Sequence, residues 1–231
     1  MSQRGIALIL VLLVTSFLSA IGLGLAVMVF MDRLATGNMK GSVALLHAAE
    51  AGLAFAAHDL ARADWRSALA GTEQASFVDG PPSGVRAIPG GGAVNLTAQT
   101  NILNCGKRTA CSAAQMVANS SDRPWGSNNP RWRLYAYGPF ENLTEIARPT
   151  PCYLAVWVAD DSRELDGDPL RDGDQTGRGV IRLFAGTYGP HGSRHAIEAE
   201  LARVCAVAAG EEVCQPGLRV QSWQEVLQLV P

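Results

Sequence analysis

Residues Ile6 to Met31 form a run of 26 residues without a single charge. At about 1.5 Å per residue a helix of that length reaches roughly 39 Å, more than the roughly 30 Å hydrocarbon core of a bilayer. A cleavable secretory signal has a shorter apolar region that stops at a small-x-small site. Here Ser19-Ala20 and Gly22-Leu23-Gly24 lie inside a run that continues past them. The pattern predicts a retained membrane helix. Beyond it the apolar positions become periodic: Val43, Leu46, Ala49, Leu53, Ala57 and Leu60 recur at spacings of three and four, one face of a helix. The Ala-rich stretch from His47 to Leu53 adds high helix propensity. One helix is therefore expected to occupy 6–31 within the membrane and 32–66 outside it.

The remaining residues, 67–231, follow a different pattern. Breakers crowd the first part, at Gly80-Pro81-Pro82, Pro89-Gly90-Gly91-Gly92 and Ser127-Asn128-Asn129-Pro130, and only short strands such as Ala93 to Gln99 fit between them. From Trp132 onward the stretches Trp132–Tyr137, Cys152–Val158, Gly179–Ala185, Ala196–Ala206 and Leu218–Trp223 read as strands, rich in β-branched and aromatic residues. An antiparallel sheet packed on the distal half of the long helix covers both apolar faces. The expected class is α+β, with about 165 residues in one β-rich domain, enough for a sizeable core. No internal repeat is present.

The junction before the apolar run is specific. Arg4-Gly5 followed by Ile6-Ala7-Leu8-Ile9-Leu10 resembles the class III leader of type IV pilins. The resemblance implies that residues 1–5 are a leader and that prepilin peptidase cuts between Gly5 and Ile6. Most members carry a glutamate at the fifth mature position, where this chain has Leu10. Members without it include PilX-type minor pilins and the GspK-type pseudopilin of type II secretion, which is associated with the filament tip. Ala48-Ala49-Glu50-Ala51-Gly52-Leu53 is similar to a signature of the PilX-type minor pilins, and the resemblance covers residues 1 to about 66.

By that resemblance the chain is a structural subunit and not an enzyme: a minor pilin or pseudopilin of type IV pilus assembly that initiates or caps a filament, or presents its domain for adhesion. Its partners would be other minor pilins, the major pilin, prepilin peptidase and the assembly platform. It would sit in the bacterial inner membrane as a single-pass protein with a periplasmic domain, and later at the pilus or pseudopilus tip. The alternatives are a tip pseudopilin of type II secretion and a bitopic membrane-anchored binding or sensing domain.

Net charge of −2 and the lack of a basic stripe give no reason to expect nucleic acid. Five cysteines in an exported domain favour disulfides. Two bridges among five cysteines allow fifteen arrangements, and the local pairs Cys105–Cys111 and Cys205–Cys214 are the first choice. Cys152 is then a buried thiol acting as a small hydrophobe. No Cys-x-x-Cys or paired Cys/His spacing suggests zinc.

Seven of the 21 acids fall between Asp160 and Asp174, against two arginines, so this segment carries −5 and the rest of the chain sums to +3. Two readings stand. The carboxylates Asp160, Asp161, Asp166, Asp168, Asp172 and Asp174 are a candidate Ca²⁺ set, since Ca²⁺ takes six to eight oxygens in flexible geometry; by resemblance, calcium loops occur in pilin-family proteins. The other reading is a solvated turn whose Asp and Gly residues initiate turns. The offsets are not those of an EF-hand.

Catalytic signatures are missing: there is no Gly-x-Ser-x-Gly, and Gly90-Gly91-Gly92 lacks the Lys-Ser/Thr of a phosphate loop. His191 and His195 have zinc-like helical spacing, but Gly189-Pro190 and Gly192 argue against a helix. His47 and His58 read as interfacial helix residues. Gly22 and Gly24, within the apolar run, permit close packing or local unwinding.

Overall fold

The computed structural model describes residues 3–118, 131–143, 150–161, 168, 179–203, 205–208, 211–214 and 217–226. Two units divide at Val43/Ala44. The first is helical throughout its described length, as part of α1 (Gln3–Leu60). The second begins with the last part of α1 and continues through α2 (Trp65–Ala70), β1 (Val85–Ala87), β2 (Ala93–Asn95), α3 (Leu96–Cys105), α4 (Ala113–Ala118), β3 (Arg133–Pro139), β4 (Tyr153–Asp160), β5 (Val180–Tyr188), β6 (Arg194–Ala202), β7 (Cys205–Ala208), β8 (Glu211–Cys214) and β9 (Arg219–Glu225). The protein is α+β: a long N-terminal helix and a five-stranded antiparallel sheet, with two small hairpin sheets.

The helix stops at Leu60, six residues short of the boundary read from the sequence. The indole Nε1 of Trp65 donates to the Leu60 carbonyl at 2.8 Å, occupying an acceptor that a continuing helix would bond to residue 64. Asp64 then starts α2 by accepting from Arg66 N and from Ser67 Oγ, an N-cap of the usual kind. The chain turns here because its own side chains satisfy both helix ends.

The main sheet has the order β3-β4-β5-β6-β9, every neighbouring pair antiparallel. One face carries Leu154, Val156, Leu183, Ile197 and Leu201 against Leu45, Ala49, Leu53, Ala56 and Leu60 of α1 and Trp65 and Leu69 of α2. The opposite face carries Tyr153, Ala155, Trp157 and Phe184 against Val94 and Leu96, with Leu103 of α3 packed alongside. All eight residues of β4 are buried. A strand covered on both faces has no polar side, which is why Cys152–Val158 reads as a continuous apolar run and not as an alternation. Trp157 places its Nε1 on Thr100 Oγ1 at 2.8 Å, giving the buried indole a partner in the second layer.

Two strand expectations are corrected. The expected strand Ala93–Gln99 ends at Asn95, whose side-chain oxygen accepts from Ala98 N at 3.0 Å and starts α3 at Leu96. The expected strand Ala196–Ala206 is broken after Ala202. Arg203 turns its amide to Gly179 O (2.7 Å), donates from Nη2 to Ala63 O (2.8 Å), and stacks its guanidinium 4.0 Å over Trp65. The chain resumes as the separate β7–β8 hairpin.

Candidate functional site

From Ile6 to Gly41 every residue of α1 is exposed, and the helix is long and apolar enough to cross a membrane. Leu10 is 58% exposed. The hydroxyl of Thr15 donates back to Val11 O at 3.0 Å and to Leu12 O at 3.1 Å. The helix thereby satisfies this polar group internally, as an apolar medium demands. A Cβ added at Gly22 or Gly24 would meet nothing within 4 Å. The backbone at Gly5 and Ile6 is helical; the side chains of residues 1–5 lie outside the described set.

The segment Ala48-Ala49-Glu50-Ala51-Gly52-Leu53 is a seam between helix and sheet. Ala48, Ala49, Gly52 and Leu53 are buried, while Ala51 is exposed and Glu50 lies at the margin. At Gly52 a methyl group would sit 2.5 Å from Leu154 Cδ1 and 2.6 Å from Cδ2, well inside the 3.5–4.0 Å of a carbon contact. Only a residue without a side chain lets α1 approach β4 this closely. The buried stripe runs through Leu45, Ala49, Gly52, Ala56 and Leu60. Val43, expected on that stripe, is 43% exposed, and Leu46 and Ala57 are only partly covered.

Two polar contacts fasten the same face, and neither was anticipated from the sequence. Buried Thr187 of β5 donates Oγ1 to Leu45 O at 3.0 Å. Tyr135 of β3 donates its hydroxyl to Asp59 Oδ2 at 2.7 Å. Burial, and then the bond to Asp59, hold the Tyr135 hydroxyl well above its ordinary pKa, so it remains a donor. Tyr135 lies within the expected strand Trp132–Tyr137 and Thr187 two residues past the expected strand Gly179–Ala185, and nothing local in the sequence marks a partner 76 or 142 residues away.

Cys105 and Cys111 are joined by a disulfide that closes the turn after α3. Cys205 and Cys214 face each other as cross-strand partners of β7 and β8; their side chains lie outside the described residues. Cys152 is a free buried thiol, and burial pushes its pKa up to about 12. It is neutral and inaccessible, as a small hydrophobe would be.

The acidic segment divides. Asp160 closes β4 and is 1% exposed, Asp161 is 2% exposed, and Asp168 is exposed. A solvated turn therefore does not describe Asp160 and Asp161. Asp166, Asp172 and Asp174 lie outside the described residues. Among the described residues no three His, Cys, Asp or Glu side chains form a group suited to a metal.

The histidines are dispersed. His191 sits in a 3-10 turn at Pro190–Gly192 with φ +59°, and His195 lies on β6, where Nδ1 is 2.9 Å from Glu225 Oε1. No helix joins them. His47 and His58 are exposed on α1, beside Glu50 and Arg62 respectively. Comparison of the chain with protein-family models, with curated proteins and with solved structures finds no match.

Proposed function

We propose that this chain is a minor pilin or pseudopilin, a structural subunit made as a membrane precursor, cut between Gly5 and Ile6, and assembled through its long helix. One observation carries the reading. The same helix that is apolar and exposed from Ile6 to Met31 is seated further along on an antiparallel sheet, through Ala48-Ala49-Glu50-Ala51-Gly52-Leu53. That motif resembles the PilX-type signature, and its small residues provide the close approach a helix spine requires. The subunit sits in the bacterial inner membrane with its domain in the periplasm, and its partners are the major pilin, other minor pilins, prepilin peptidase and the assembly platform.

Leu10 sharpens the position. By resemblance, an entering subunit uses its glutamate to pair with the N-terminal amine of the subunit above. Leu10 supplies no such charge, so the chain belongs at or near the tip, in few copies. The same substitution favours, as a second reading, the tip pseudopilin of type II secretion.

Processing tests the proposal. In cells with prepilin peptidase, mass spectrometry of the purified chain should find Ile6 as the first residue, and Gly5→Val should leave residues 1–5 attached. An uncut chain in peptidase-positive cells removes the reading in favour of a bitopic anchored domain.

A further inference from the structure

We propose that Thr36–Ser42 of α1 is a helix-to-coil joint, a stretch that spends part of its time unwound while the helix on either side stays formed. Thr36-Gly37-Asn38-Met39-Lys40-Gly41-Ser42 holds two glycines, the weakest helix formers after proline, and three residues whose side chains either stiffen χ1 or compete for the backbone. Packing does not compensate. Every residue from Asp32 to Gly41 is exposed, and a Cβ at Gly37 or Gly41 would meet nothing within 4 Å.

The surroundings do not compensate either. The uncharged run ends at Met31, and Asp32, Arg33 and Lys40 mark a watery environment beyond it. Flanked by helix on both sides, the stretch needs no new nucleus, so its helicity rests on propagation alone, which the two glycines weaken by about 1 kcal/mol each. The division into two units falls at Val43/Ala44, two residues beyond the second glycine. The apolar run to one side and the sheet-packed seam to the other each have their own source of order, whereas Thr36 to Gly41 are exposed throughout. This inference uses only the helix and stands whether or not the chain enters a filament.

Amide hydrogen exchange on the full chain in lipid nanodiscs, read at single-residue resolution, tests it. Amides of residues 37–42 should exchange at least a hundredfold faster than those of Ala48 to Ala56. Because both glycines face open space, Gly37→Ala with Gly41→Ala introduces no clash, and the pair should slow exchange in the joint by roughly 30-fold. Exchange at Val156, deep in the sheet, serves as the control for intact folding. Protection in residues 37–42 equal to that of Ala48–Ala56, or joint exchange unchanged in the double variant with Val156 still protected, overturns the proposal.

Discussion

Gly52→Ala sets two opposing effects against each other at a single atom. In an isolated helix the change would stabilise by about 1 kcal/mol. In this fold the new methyl meets Leu154 at 2.5 Å from Cδ1, 2.6 Å from Cδ2 and 3.0 Å from Cγ. Leu154 is fully buried between β3 and β5, so its side chain cannot swing into solvent. Inserting a methyl group into a packed core typically costs 1–3 kcal/mol, and the net expectation is a loss of about 1 kcal/mol. A double-mutant cycle separates the two effects. Leu154→Ala alone should cost about 2–5 kcal/mol; combined with Gly52→Ala it should cost less than the sum, because the two changes relieve each other, with a coupling of at least ~1 kcal/mol. Urea unfolding of a fragment beginning at Lys40, followed by tryptophan fluorescence, is a suitable assay. That fragment keeps every buried core residue from Leu45 on and all five tryptophans. Additive effects, or a Gly52→Ala fragment more stable than the parent, would refute the claim that this glycine exists for close approach.

Two further outcomes are expected. The Cys152 thiol, raised from 9.0 to about 12 by burial, keeps its proton in the folded state after the unfolded chain has lost it; its contribution to stability is therefore constant below about pH 9 and falls as pH rises toward 12, by up to ~1.4 kcal/mol per pH unit. Burial also raises the Tyr135, Tyr153 and Tyr188 hydroxyls, which steepen the fall above pH 10, so Cys152→Ala should flatten the profile between pH 9 and 10, and an unaltered slope there would sink the assignment. For the segment from Asp160 to Asp174, a calcium site requires a higher Tm in excess Ca²⁺ than in chelator, by about 2.7 kcal/mol of stabilisation at a hundredfold excess over Kd, with less from Mg²⁺ and none after Asp166→Ala with Asp168→Ala; equal melting in calcium and chelator removes the calcium reading and leaves Asp160 and Asp161 as buried residues at the end of β4.

The elements legible in the sequence are those whose signal is local. The uncharged run is marked by its unbroken apolar length, the helix beyond it by spacings of three and four, and the strands from Trp132 onward by their β-branched and aromatic residues. What escaped was set by tertiary packing. Of the stripe read off the spacing, Ala49, Leu53 and Leu60 are buried, but Val43, Leu46 and Ala57 give way to Leu45, Ala48, Gly52 and Ala56, because Ala48 and Gly52 are buried for being small, and hydropathy does not register close approach. The strand expected over Ala93–Gln99 became mostly helix because Asn95 caps it. The signal was Asn95 preceding Leu96 and Leu103, seven residues apart on one face, but it sat behind three glycines that argued for a turn. The second layer was implied by the strand Cys152–Val158, whose lack of alternation requires cover on both sides. For the candidate site, the residues of the seam were named from the sequence, whereas Thr187 and Tyr135, which fasten it, were not.

The seam also carries a timetable. Ribosomes add residues from the N-terminus, so the face of Leu45 to Leu60 emerges early, while Thr187, which bonds Leu45, is synthesised 142 residues later. At about 5–20 residues per second that interval lasts roughly 7–28 s, during which a helix rich in alanine and leucine has no sheet to lie against. The nascent chain must shelter that face, in lipid or with a chaperone. Truncations or stalls before β5 and β6 should therefore give aggregating material and not a smaller folded domain.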